Sequence, residues 1–242
     1  MASNKKTKSA AIIIFKRELK AFYSSAAAYI VSGLYLLATG LFFFKDFYLY
    51  NRAELRMFFG MMPVILSFVI PALTMRVFSE ERRSGSIETL MTLPVNETDV
   101  VTGKYLASFV STLIMIAPTL FYLIPVCVFG KPDFGPIIGG YAGAIFLCAC
   151  YTAIGIYASS ITKNQIIAFI ISAVICICMT LVDSFLIFFP APIVSFFNYI
   201  SANAHFTSIS RGIVDTRDIL YFVSLASLFF VMTVRAEQKA KA

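Results

Sequence analysis

Residues 57–129 read MFFGMMPVILSFVIPALTMRVFSEERRSGSIETLMTLPVNETDVVTGKYLASFVSTLIMIAPTLFYLIPVCVF. Two long apolar runs, Met57–Met75 and Val100–Phe129, flank a short stretch of acidic, basic and small residues. Each run is long enough to cross the hydrocarbon layer of a membrane, which takes about 20 helical residues. In lipid the backbone must satisfy its own donors and acceptors, so helices are the expected form. The charged stretch between them belongs at a membrane surface.

Outward from this pair lie four more apolar segments, Ala26–Phe44, Ile137–Ile161, Ile166–Phe189 and Ile219–Val234. The last is short: at about 1.5 Å per residue it reaches about 24 Å, so Thr216–Asp218 or local bilayer thinning must contribute. Composition agrees. Of 242 residues 59% are hydrophobic and 14% charged, with a mean hydropathy of +0.83, whereas a soluble domain carries about a quarter charged residues. The expected class is an all-α integral membrane protein with six transmembrane helices in a single domain over residues 1–242. The first apolar segment is too long for a cleavable leader and lacks a small-residue cleavage site.

The formal net charge is +7, but the cations sit beside the apolar runs, where they report topology rather than nucleic-acid binding. With the N-terminus inside, the cytoplasmic face holds Lys5, Lys6, Lys8, Lys16, Arg17, Lys20, Arg76, Arg82, Arg83, Lys104, Lys163, Arg235, Lys239 and Lys241. The outside then holds only Lys45, Arg52, Arg56, Lys131, Arg211 and Arg217. Both termini are therefore expected in the cytoplasm. Before the first span, Ala11–Ser25 places Ile12, Phe15, Leu19 and Phe22 at helical spacing, with Lys16, Arg17 and Lys20 between them. This pattern predicts an interfacial helix; the alternative is the solvated start of the first span. The loop Pro190–Asp218 predicts one or two short re-entrant or interfacial helices before the sixth span.

The charged stretch has an internal logic. The second span runs on through Glu80 and Glu81 until Gly85, which tolerates backbone angles that other residues resist. Ser84 or Ser86 can cap a new helix, and Glu88 lies in its first turn, where the dipole favours negative charge. Ile87, Leu90 and Met91 form a small apolar face, Pro94 ends the element, and Asn96 can cap the next helix. A helix of about two turns is marginal alone, but a capped one held between two spans is suited to docking in a partner's groove. The alternative is an ordinary loop lying on the membrane.

This stretch resembles the coupling segment of ABC-2 type transporter permeases, through Glu80, Glu81, Gly85, Ile87, Glu88, Leu90, Pro94, Val95, Gly103 and Lys104. Ser86 stands where threonine is usual and Met91 where leucine is common. Ile70–Glu81, Ser159–Phe169 and His205–Phe222 are similar to the branch of gliding-motility-associated permeases. A departure is Ser24–Ser25–Ala26, where that branch would carry a proline. The resemblance implies an exporter-type fold with a cytoplasmic coupling helix at about 86–94. It implies a pair of permeases, identical or similar, in the bacterial cytoplasmic membrane, served by two copies of a separate ABC ATPase. The chain has no G-x-x-x-x-G-K-[ST] phosphate cradle, so ATP and magnesium belong to that ATPase, and this chain is expected to be neither an enzyme nor a cofactor binder. The work done is export or mechanical action across the membrane. A non-transporting anchor of a surface machine would use the same segment. An intramembrane enzyme would need a nucleophile and base within a span, and the only histidine, His205, lies outside the apolar runs.

Other residues have structural readings beside functional ones. Gly139 and Gly143 form a small-xxx-small pair, read as close helix packing. Asp183 falls at the outer end of the fifth apolar run and is expected to pair with an external arginine or cap a helix. His205, Arg211, Asp215, Arg217 and Asp218 cluster before the sixth span and are read as an external structural gate. The alternative there is a site for substrate or an accessory extracytoplasmic protein. Met57, Met61 and Met62 could serve copper but read as packing. The paired cysteines Cys148 and Cys150, and Cys176 and Cys178, are two apart, a spacing that shares no helix face, so no metal site is expected.

Overall fold

The computed structural model describes residues 2–49, 54–85, 96–130, 132–185, 199–213 and 215–241. Ten α-helices are seen among them: α1 Ala2–Ser24, α2 Ala26–Leu49, α3 Arg56–Thr74, α4 Ser79–Ser84, α5 Glu97–Ile116, α6 Leu123–Phe129, α7 Phe134–Ser160, α8 Gln165–Phe185, α9 Ala202–Ser210 and α10 Thr216–Lys241. Six stretches are long and apolar enough to cross a membrane: Ala26–Lys45, Arg56–Ser84, Glu97–Phe129, Phe134–Ser160, Gln165–Ser184 and Thr216–Lys239. The sixth gains length at both ends of its apolar run, taking in Thr216–Asp218 and continuing as helix to Lys241.

The breaks between helices have local causes. At Ser25 the chain bends between α1 and α2 without a proline. Ser24 Oγ donates to the carbonyls of Lys20 and Ala21, both at 3.0 Å, and this kind of back-bonding bends helices. The third span is interrupted by a 3₁₀ stretch, Ala117–Tyr122, with Pro118 in its first turn. Proline supplies no backbone donor to the α-helical ladder there. α4 stops at Gly85, which sits at φ 72° in the left-handed region that glycine enters without penalty.

α7 is the centre of the bundle and contacts α3, α5, α8, α9 and α10. Its Leu147, Cys148, Tyr151 and Ile154 are fully buried with Leu66 and Ile70 of α3 and Cys176 of α8. Small residues let the helices approach. A side chain on Gly140 would strike the ring of Phe59 at about 2.5 Å, and one on Gly155 would overlap Thr74. The outward faces of α2, with Ile30, Leu34, Leu37 and Leu41, remain exposed apolar surface, as befits helices solvated by lipid.

The face of α1 that meets the bundle mixes apolar and charged residues. Ile14 is buried, while Ile12 and Ile13 are 54% and 64% exposed. The helix is turned so that Ala11 and Ile14 lie against Gly103 of α5, where an added Cβ would come within 2.9 Å of both. The same orientation carries Glu18 inward, to 16% side-chain exposure, beside the half-buried Phe15, Leu19 and Phe22. α1 therefore packs on α5 as well as flanking the first span.

Candidate functional site

The end of the bundle that carries both termini also carries α4 and the first turns of α5. Here Lys104, two turns into α5, is completely buried. Its ammonium lies 2.9 Å from Glu81 Oε1 and 3.5 Å from Glu18 Oε1, and donates to the carbonyl of Val77 at 2.7 Å. The ring of Phe78 covers it, with the ammonium 4.8 Å from the centroid. Arg17 completes the cluster, 2.6 Å from Glu18 and 3.3 Å from Glu81. The hydrogen bond to Glu18 raises the Arg17 pKa further, so the guanidinium stays charged. Burial of a lone ammonium would be prohibitive, and two carboxylates with a carbonyl are what make Lys104 tolerable there.

Two further contacts hold α4. Arg82 Nη2 meets Glu237 of α10 at 2.7 Å, with the glutamate side chain fully buried. Ser159 Oγ, at the end of α7, accepts from the backbone N–H groups of Phe78 and Ser79, both at 3.0 Å, and donates to the carbonyl of Met75 at 3.0 Å. The residue before α4, Phe78, has no side-chain cap of its own, so a serine from another span satisfies the orphan donors of its first turn. α4 is thus tied to α1, α5, α7 and α10 although it has only six residues.

Of the coupling residues read from the sequence, Glu80, Glu81 and Gly85 fall on α4 and its end. Ser86, Ile87, Glu88, Leu90, Met91 and Pro94 lie outside the described residues. Beyond them Asn96 occupies the N-cap of α5 without a side-chain cap bond, and Glu97 and Asp99 lie in its first turn. Sequence reading used Lys104 only as a topology marker and motif landmark, and it passed over Glu18, Ser159 and Glu237. The one available signal was a lysine inside an apolar run, which calls for a carboxylate partner.

At the opposite end the acidic and basic residues before the sixth span do not form one cluster. His205 Nδ1 lies 2.7 Å from Asp218 Oδ1, and its ring stacks on Tyr221 at 4.2 Å between centroids. Asp215 serves the start of α10: its carboxylate accepts from the N–H of Arg217 at 3.0 Å. Asp183 accepts from Asn203 Nδ2 at 2.7 Å, so its hydrogen-bond partner is an amide rather than an arginine. Arg211 lines a pocket with Asp183. Arg217 itself is exposed. The predicted short helix before the sixth span is α9 for residues 202–210; residues 186–198 lie outside the described residues. Gly139 and Gly143 face α9: a side chain at Gly139 would overlap the carbonyl of Ile209, and one at Gly143 would press on Phe206 at 3.2 Å. Met57 and Met61 are exposed whereas Met62 is fully buried, so the three do not converge. Among the described residues no three His, Cys, Asp or Glu side chains come together as a metal site.

Six membrane-crossing helices with a buried, cross-linked charge cluster at one end define a multi-pass helical membrane protein. A family model described as ABC-2 family transporter protein matches residues 3–236. The chain belongs to that family, whose membrane domains are typically non-catalytic permease subunits that associate with an ATPase subunit and the membrane. No curated protein matches the chain.

Proposed function

We propose that this chain is the transmembrane half of an ATP-binding cassette exporter of the bacterial cytoplasmic membrane, with both termini in the cytoplasm. Two permeases, identical or similar, pair across the membrane, and two ATPase subunits grip the segments at about 86–94. The observation that carries the reading is the attachment of that segment at both flanks. On one side α4 is bonded to α1, α7 and α10 through Glu81, Ser159 and Arg82. On the other, α5 is bonded to α1 and α4 through Lys104. A push on the segment from a partner reaches three spans and α1 with little slack. The branch resemblance of residues 205–222 favours mechanical work at the cell surface as the alternative output of the same coupling.

The test is Glu88→Arg, which places a cation where the coupling segment begins. The tagged chain with this substitution is expected to insert and purify normally from detergent and to bring down none of the ATPase that accompanies the wild type. Undiminished recovery of the ATPase would remove the coupling role from this segment. Substrate movement in proteoliposomes holding the whole complex separates export from mechanical work.

A further inference from the structure

A cavity of about 730 Å3 opens where α1 meets α2, at the same end of the bundle as the charge cluster. Its volume lies in the range of small-molecule sites, about 300–1,000 Å3. The walls are apolar: Phe22, Ala28 and Val31 on one side, Ala72, Leu73 and Val77 on the other. The rim is charged, with Arg17, Glu18, Arg76, Glu80 and Glu81. Three of these five are already engaged, Arg17 and Glu18 with each other and Glu81 with Lys104.

Arg76 and Glu80 remain. They are joined by one turn of backbone, Glu80 N–H to the Arg76 carbonyl at 3.3 Å, and both side chains are exposed. Neither forms an ion pair or side-chain hydrogen bond among the described residues, not even with the other. An open cation and an open anion about a turn apart, above a greasy slot, match a ligand with a phosphate, an ammonium and a hydrocarbon tail.

We propose that this cavity binds a zwitterionic phospholipid of the ethanolamine class, its phosphate on Arg76, its ammonium on Glu80 and part of an acyl chain between α2 and α3. Arginine holds phosphate by paired, charge-assisted hydrogen bonds. A choline head is excluded from the best fit because its quaternary nitrogen has no hydrogen to donate to Glu80. A glycerol head offers Glu80 no cation. The site relies on the membrane-spanning fold and on the cytoplasmic placement of this end only for which leaflet supplies the lipid.

The experiment is native mass spectrometry of the full chain released from detergent after equilibration with equimolar phosphatidylethanolamine, phosphatidylcholine and phosphatidylglycerol. One ethanolamine lipid per chain is expected to survive detergent that strips the other two, with about tenfold preference, the size of one charge-assisted bond. Arg76→Gln should lower retention of the ethanolamine lipid by a similar factor, and Glu80→Gln should erase its advantage over the other heads. Ala72→Phe, which fills the slot, should remove the adduct whatever its head. Soluble phosphoethanolamine, lacking chains, should compete at least about tenfold more weakly than the lipid. Equal retention of all three lipids, or an adduct indifferent to Arg76→Gln, would overturn the proposal. No ATPase is needed for this readout, so its failure leaves the docking role of residues 86–94 standing, and loss of docking leaves the lipid site standing.

Discussion

At the end of the bundle that carries both termini, ion pairs join elements remote in sequence: Arg17 to Glu81 across 64 positions and Arg82 to Glu237 across 155. At the opposite end the pairs are local. Asp183 meets Asn203 20 positions on, and His205 meets Asp218 13 positions on. There the tight fit is steric, with α9 seated on Gly139 and Gly143 of α7. Buried charge pairs add little net stability compared with apolar packing, because desolvation offsets the attraction, but losing one partner is costly. They hold a specific arrangement rather than a generally tight one. The charged end therefore behaves as a linked unit, moving together or breaking at a definite pair, while the other end is seated by shape.

The largest effect that would break this contrast belongs to Lys104. Lys104→Met leaves the partly buried Glu18 and Glu81 carboxylates with Arg17 as their remaining cation, a loss of about 3 kcal/mol. For a chain of this size that corresponds to a fall in unfolding temperature of about 6 °C or more in detergent. The double variant Lys104→Met/Glu81→Gln removes charge from both partners and should recover much of the loss. A single variant as stable as wild type would mean that the cluster is ornamental to the fold.

Next in size is the steric end. Gly139→Leu forces a side chain into the carbonyl of Ile209 and should cost about 1–3 kcal/mol through overpacking. Gly33 is the matched control, since nothing lies within 4 Å of where its Cβ would be. Gly33→Leu should unfold with wild type. Thermal unfolding of the two proteins side by side checks the claim. Similar losses in both would show that glycine loss from a helix, not the seating of α9, is responsible.

The six spans were legible because length and hydrophobicity are properties of each segment alone, and lipid imposes both. The charged end was not, because a half-buried Glu18 makes sense only once Lys104 is placed beside it, and the two are far apart in sequence. A helical pattern read by hydrophobicity alone finds Phe15, Leu19 and Phe22 but misses that Glu18 shares their half-buried face. Gly139 and Gly143 stood out by spacing, yet their partner, α9, could not be named from a loop of mixed polarity. His205, Arg211, Asp215, Arg217 and Asp218 lie on α9, in the segment after it and in the first turn of α10. Their division into a stacked histidine hydrogen-bonded to an aspartate, a helix cap and an amide-held aspartate depends on rotations that no sequence pattern records. Gly85 was readable on local grounds, because a helix stop needs only one residue that accepts positive φ.

The smallest effect concerns Asp215, whose carboxylate accepts from Arg217 N–H while its carbonyl accepts from Asp218 at 3.1 Å. This is capping of α10, and removing the side chain in Asp215→Ala should cost about 1 kcal/mol. Asparagine at the same position keeps an acceptor oxygen and should recover most of that amount, losing only the charge–dipole part, about 0.3–1 kcal/mol. Thermal unfolding resolves the two, and hydrogen exchange at Arg217 and Asp218 should rise in the alanine variant but little in the asparagine one. Equal behaviour of alanine and asparagine would reassign Asp215 from a cap to a bystander. The local character of the end opposite the termini would then rest on His205–Asp218 and Asp183–Asn203 alone. Because the cap lies outside the Lys104 cluster, its loss should leave ATPase recovery unchanged, which separates the two ends of the molecule by function as well as by stability.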